Sequence, residues 1–117
     1  VLETSAYVDA YPDELPDYAT QSGPLLVIDG ALHPAINPDG TSRKRRNGVG
    51  VAADGQTVHF VISDVPVTFH QFASVFRDHL ETPNALYLDG VVSRLYSEDL
   101  GRDERGLDMG PIVGVVR

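Results

Sequence analysis

Cysteine is absent from the 117 residues, which excludes a disulfide framework and any thiolate metal site and leaves the redox compartment unread. No apolar run approaches the roughly 18 residues of a membrane span, so no membrane is expected among the partners. Cations are few: nine Lys and Arg stand against 17 Asp and Glu, for a net charge of -8. A general nucleic-acid binder is excluded on that ground, because phosphate-backbone affinity rests on many distributed cations. The four histidines, His33, His59, His70 and His79, have no His-Glu-x-x-His spacing and are expected to be structural or exposed. No Ser-His-Asp order or nucleophile elbow occurs, and Gly48 and Gly50 lack the rest of a dinucleotide or P-loop fingerprint. The opening Val1-Leu2-Glu3-Thr4 has neither the basic start nor the apolar stretch of a secretory signal. A first residue other than Met is expected of a chain that has been processed or cut from a longer one.

What is present suits one folded domain. At 42% hydrophobic, a chain of this length can bury one core and not two. The first twenty residues mix Tyr7, Tyr11 and Tyr18 with Pro12, Pro16 and five carboxylates, and read as turns and irregular surface segments with a short strand near the start. Leu25 to Asp29 reads as a strand closed by a tight Asp29-Gly30 turn, with a second strand resuming at Ala31-Leu32-His33. Gly48 to Val51 and Val58 to Ser63 flank Asp54-Gly55, the strongest hairpin signal in the chain. From Thr68 to Leu80 the period changes to about 3.6, with Phe69, Phe72, Ala73, Phe76 and Leu80 on one stripe, which predicts an amphipathic helix capped by Thr68. Ala85 to Leu88 reads as a strand buried on both faces, and further short strands are expected at Ser93 to Tyr96 and Ile112 to Val116. The fold class expected is α+β, a mixed, largely antiparallel sheet with one main helix over about residues 68–80.

Two features carry chemistry. Ser42-Arg43-Lys44-Arg45-Arg46 concentrates positive potential where a loop meets a strand on an otherwise acidic protein, as an anionic substrate group requires. Lys44 and Arg45 read as solvated loop charges balancing nearby carboxylates. The three-residue spacing of Arg43 and Arg46 can follow a turn into a site. Asp89 ends the most apolar strand, with Gly90 behind it to let a ligand approach the backbone. Read locally, however, Asp89-Gly90 is a chain-reversing turn like Asp29-Gly30 and Asp54-Gly55.

In order along the chain, Tyr18 to Pro24, Thr41 to Gly50, Asn84 to Gly90 and Gly110 to Val116 resemble the phosphodiester glycosidase family, which includes the lysosomal uncovering enzyme and a large bacterial branch. The likeness is to the bacterial branch. Position by position, Gly23 and Pro24 match the family's glycine-proline segment, Arg46 with Gly48 and Gly50 its arginine-led strand, and Asp89 with Gly90 its Leu-Asp-Gly strand end. Ser93 matches the serine that follows the family's glycine run. Tyr87 stands where many members have asparagine, and Val91 and Val92 where they have further glycines. The resemblance implies the C-terminal half of the family's domain, without the upstream half that carries an Asn-Gly-Gly-like motif.

What the resemblance implies is hydrolysis of the glycosidic bond of a sugar 1-phosphodiester, with a secreted or periplasmic location. Asp89 and Arg46 would be catalytic, and Arg43, Ser42, Gly23, Gly90 and Ser93 would bind substrate. Arg43, Arg46 and Asp89 are expected to converge on one concave anion site. The ligand expected is an anionic carbohydrate or sugar phosphate, with an N-terminal fragment or a second copy as partner. No cofactor is indicated, though a carboxylate site could take a divalent cation without a motif to announce it. A non-catalytic carbohydrate- or anion-binding module of the same fold is the alternative.

Overall fold

The computed structural model describes residues 1–13, 15–90, 92–110 and 112–115. Its main element is a five-stranded sheet of β1 (Leu25–Ile28), β2 (Ala31–Leu32), β3 (Asn47–Val51), β4 (Val58–Ile62) and β5 (Asn84–Asp89) in the order β2-β1-β5-β3-β4. Every described pairing is antiparallel. The helix α2 (Phe69–Ser74) runs on as a π-type turn over Val75–His79 and covers one face, so the architecture is α+β with one main helix.

The local signals act as expected. Asp29 (φ 47°) and Gly30 (φ 80°) make the left-handed turn between β1 and β2. At Asp54-Gly55 the carboxylate accepts the backbone N–H groups of Gln56 (2.8 Å) and Thr57 (2.9 Å), fixing the reversal that pairs β3 with β4. Thr68 caps α2 in a reciprocal box: its hydroxyl accepts from the Gln71 N–H, and Gln71 Oε1 accepts from the Thr68 N–H, each at 3.1 Å. The stripe of α2 then buries Phe72, Ala73 and Phe76 against Leu26, Val27 and Ala85.

Glycine on β3 permits that approach. A Cβ on Gly48 would stand 2.8 Å from the Leu86 carbonyl oxygen and 3.1 Å from Phe72, and one on Gly50 would stand 2.8 Å from Phe76. The two aromatic rings therefore lie directly on the strand.

Three expectations change. The opening segment contains a helix, α1 (Thr4–Ala10), where turns and a short strand were expected. Glu3 caps it by accepting the Ser5 N–H at 2.8 Å, and the Tyr7 and Tyr11 rings stack one turn apart at 5.2 Å. Pro12 then ends it, because the residue before a proline is pushed out of the helical region. Central β5 is dry only where α2 covers it: Ala85 is buried, while Leu86 and Leu88 on the other face are half-buried. In the tail, the strand expected at Ser93 to Tyr96 is β6 (Tyr96–Ser97), pairing with β7 (Arg102–Asp103), for which no strand was expected. Residues 112–115 form no strand, and Val116 lies outside the described residues.

Candidate active site

The arrangement of interest surrounds the C-terminal end of β5. Along β3, Gly48 and Gly50 face α2, so Asn47 between Arg46 and Gly48 faces the opposite side. The pairing of β5 with β3 slips there, since Gly48 opposes Tyr87 while Asn47 opposes Asp89, leaving Leu88 as an extra residue. Without the bulge, alternation would turn Asp89 to the same side as Tyr87, beneath the helix. With it, Asp89 joins Asn47 on the open face. Both line a cleft of about 1200 Å³ whose walls include Ser22, Leu88, Arg94 and Glu104.

The bulge is held by side chains distant in sequence. The Ser22 hydroxyl lies 2.7 Å from the Tyr87 carbonyl oxygen and 2.9 Å from that of Leu88. Asn47 Oδ1 accepts the Asp89 N–H at 3.0 Å. The Asp89 carboxylate accepts the N–H of Gly90 at 2.5 Å, and Ser93, buried at 4% exposure, donates its hydroxyl to the Gly90 carbonyl at 2.5 Å. Asp89 is itself exposed and makes no ion pair among the described residues.

Arg46 takes the other side of the sheet. Its side chain is 1% exposed, with the guanidinium carbon 3.7 Å from the centre of the Phe69 ring. Nε donates to the Val67 carbonyl and Nη2 to the Ser42 carbonyl, each at 3.0 Å, and Nη1 reaches the Tyr87 hydroxyl at 3.5 Å. No carboxylate pairs with it among the described residues. Carbonyl dipoles, aromatic faces and the Tyr87 hydroxyl surround this charge. Tyr87 packs edge-on to Phe69 at 4.8 Å. Burial pushes the Tyr87 hydroxyl pKa up, opposed by the Arg46 cation, while the nearby Asp89 charge adds to the rise.

The expected convergence of three residues is thus replaced by a two-sided arrangement. Asp89, Gly90 and Ser93 form one turn at the cleft, with Ser22 beside it; Gly23 follows Ser22 and leads through a cis peptide to Pro24, whose carbonyl accepts the Tyr87 N–H at 3.1 Å. Arg46 approaches that turn only through Tyr87. Arg43 is exposed and donates to Gln71 Oε1 at 3.1 Å, which ties it to the first turn of α2. Ser42 lines a smaller concavity of about 260 Å³ with Phe69, Ile36 and His33. These two do not line the cleft that holds Asp89.

Two groups escaped the sequence reading. Tyr87 counted only as a strand residue and a departure from a pattern, yet its hydroxyl accepts from Arg46 and packs against Gly90. Arg45, read as a solvated loop charge, donates to Glu104 at 2.5 Å, and Glu104 also accepts from Arg102 and, at 3.0 Å, from the Leu95 N–H. That network holds the Glu104 carboxyl down to about 2, with the Arg45 hydrogen bond the largest cause. No signal in a single sequence pairs residues 59 positions apart. Among the described residues no cluster of three or more His, Asp or Glu is placed to hold a metal ion.

The sequence profile of the phosphodiester glycosidase family matches residues 2–105. The chain belongs to the phosphodiester glycosidase family. The match includes Gly23, Arg46 and Asp89 but stops before Gly110 to Val116, the fourth stretch of the resemblance. The chain is also similar to the uncharacterized protein YigE of Escherichia coli strain K12, with 40% identity over 79 residues, covering 68% of this chain and 31% of that protein. It therefore spans about a third of that relative's length. No solved structure matches the chain. Family membership places a glycosidase-like domain here.

Proposed function

We propose that this domain supplies part of the active site of a hydrolase that cleaves the glycosidic bond of a sugar 1-phosphodiester. The observation that carries the reading is the bulge at Leu88, which delivers Asp89, a carboxylate with no ion pair among the described residues, to the open cleft, on the other face of the sheet from Arg46, a buried cation that no carboxylate pairs among the described residues. In the reaction the bond between the anomeric carbon and its oxygen breaks, a phosphate monoester leaves with the bonding electrons, and water supplies the new oxygen at carbon. A departing phosphate monoester has a second pKa near about 6, so the leaving oxygen needs little general-acid help. The site must instead supply positive potential beside the phosphate and a carboxylate that activates water or steadies an oxocarbenium-like centre. Asp89 takes the second role.

Arg46 takes the first from beneath the sheet, through its field and the Tyr87 hydroxyl, because its burial prevents a bidentate grip on the ligand. Glu104 is unsuited to act as a second catalytic carboxylate, since Arg45, Arg102 and the Leu95 N–H occupy its oxygens. Further catalytic groups would come from the part of the protein that corresponds to the rest of its relative's length. Arg43 and Ser42, on the far side of α2's first turn, would serve a remote part of an anionic carbohydrate.

The test is hydrolysis, by the full-length protein, of the nitrophenyl diesters of glucose 1-phosphate and N-acetylglucosamine 1-phosphate. Glycosidic cleavage releases nitrophenyl phosphate, which turns yellow only after added phosphatase, whereas cleavage at phosphorus releases nitrophenol directly. Asp89→Asn should lower kcat by about 10²- to 10⁴-fold, the usual worth of a positioned acid–base group. Turnover by Asp89→Asn equal to the wild type would refute the role given to this carboxylate. Saturable binding of both diesters without turnover would identify a non-catalytic carbohydrate-binding module instead.

A further inference from the structure

The hydroxyl of Tyr87 occupies a place that only glycine at position 90 leaves open. A Cβ built on Gly90 would stand 2.6 Å from that oxygen, closer than any side chain tolerates. On its other side the same oxygen meets Arg46 Nη1 at 3.5 Å, and the ring edge rests on Phe69. The main chain at Tyr87 is equally constrained, since Ser22 reaches its carbonyl and its N–H is bonded to Pro24. Ring and backbone are therefore fixed, and the hydroxyl cannot leave without disturbing one of them.

A hydroxyl that accepts from a guanidinium directs its own proton away from the cation, and being polarised it donates more strongly. Gly90 of the Asp89–Gly90 turn lies against the same oxygen, in packing contact and without a hydrogen bond to it among the described residues. From this we infer that Tyr87 is a positioning residue of the hydrolytic site: its Arg46-held hydroxyl packs under the Asp89–Gly90 turn and so limits where the Asp89 carboxylate stands. This role rests on the glycosidase reading above and extends it. The geometry sets the Tyr87 hydroxyl between Arg46 and Gly90.

Two measurements on the full-length protein test it. The first compares wild type, Asp89→Asn and Tyr87→Phe on the same nitrophenyl diesters. Tyr87→Phe removes one oxygen and should lower kcat about 10- to 100-fold, the worth of one charge-assisted hydrogen bond, with KM changed less than about threefold. A side chain with a merely structural role would not split kcat from KM. Wild-type kcat for Tyr87→Phe alongside an inactive Asp89→Asn overturns this inference and leaves the glycosidase reading intact. Equal turnover by wild type and Asp89→Asn overturns both.

The second measurement needs no activity. Gly90→Ala forces a methyl group onto the hydroxyl and should lower the unfolding midpoint, and most of that loss should disappear when Tyr87→Phe is present, because the colliding oxygen is gone. Equal destabilisation by Gly90→Ala in both backgrounds would show that the hydroxyl does not lie under the turn.

Discussion

Substituting Gly50 by alanine places one methyl group where the sheet and α2 meet, and the surroundings decide its cost. The added Cβ would stand 2.8 Å from Phe76 Cδ1, 2.9 Å from Thr82 Cγ2 and 3.0 Å from Thr82 Oγ1. None of these neighbours has room to retreat: Phe76 is fully buried and packs against Phe72 with ring centres 5.5 Å apart, while Thr82, 1% exposed, is bonded to the Phe76 carbonyl by both its hydroxyl (3.1 Å) and its N–H (2.9 Å). Relief requires the helix to lift from β3. Overpacking of this kind costs about 1–3 kcal/mol. For a chain of this size each kcal/mol lowers the unfolding midpoint by about 3–6 °C, so the variant should melt roughly 3–18 °C below the wild type. Gly114→Ala is the control, since nothing lies within 4 Å of a Cβ there, and it should change stability by less than about 0.5 kcal/mol. Calorimetry or thermal circular dichroism on both variants measures the difference. If Gly50→Ala melts with the wild type, the helix does not rest on β3 at the distance described.

Phe72→Ala should cost about 3–5 kcal/mol in chemical denaturation through the cavity it leaves, whereas Arg77→Ala, a half-exposed residue paired only with its neighbour Asp78, should stay near neutral. Because the Glu104 carboxyl is held at about 2 against an ordinary 4.5, its ion pairs add stability that is fully present above pH 4.5 and lost as pH falls from 4.5 toward 2. Urea midpoints measured across that range should fall less steeply in Glu104→Gln; identical slopes would mean the network does not form. Arg46→Met should lower kcat/KM of the full-length protein by several kcal/mol of transition-state stabilisation, with Lys44→Ala close to wild type, and equal losses would show that the basic run acts only as a diffuse field.

Much of the scaffold was legible in the sequence because its causes are local. The Thr68–Gln71 box and the aromatic stripe behind it specify α2, and Asp29-Gly30 and Asp54-Gly55 specify their turns whatever surrounds them. The opening helix was missed although its cause is also local, since a glutamate cap and a Tyr7–Tyr11 pair outweighed the turn-forming composition that follows them. Gly23, Arg46 and Asp89 were readable as a set through resemblance, but their mutual placement was not.

That placement depends on pairing between segments some forty residues apart. One extra residue in the β3–β5 register turns Asp89 to the open face, and no pattern in residues 84–89 announces it, because a bulge is a property of two strands and not of one. The burial of Arg46 is decided in the same way: expected at a concave anion site, it is enclosed instead by the Val67 and Ser42 carbonyls and the Phe69 and Tyr87 rings. The sequence by itself determined the helix, the hairpins, the family and the residues worth examining, since spacing, caps and turn chemistry act over a few residues. Which face each side chain occupies, and that Arg46 meets the Tyr87 hydroxyl beneath the sheet, was decided only by tertiary structure, because strand register and burial arise when distant segments meet.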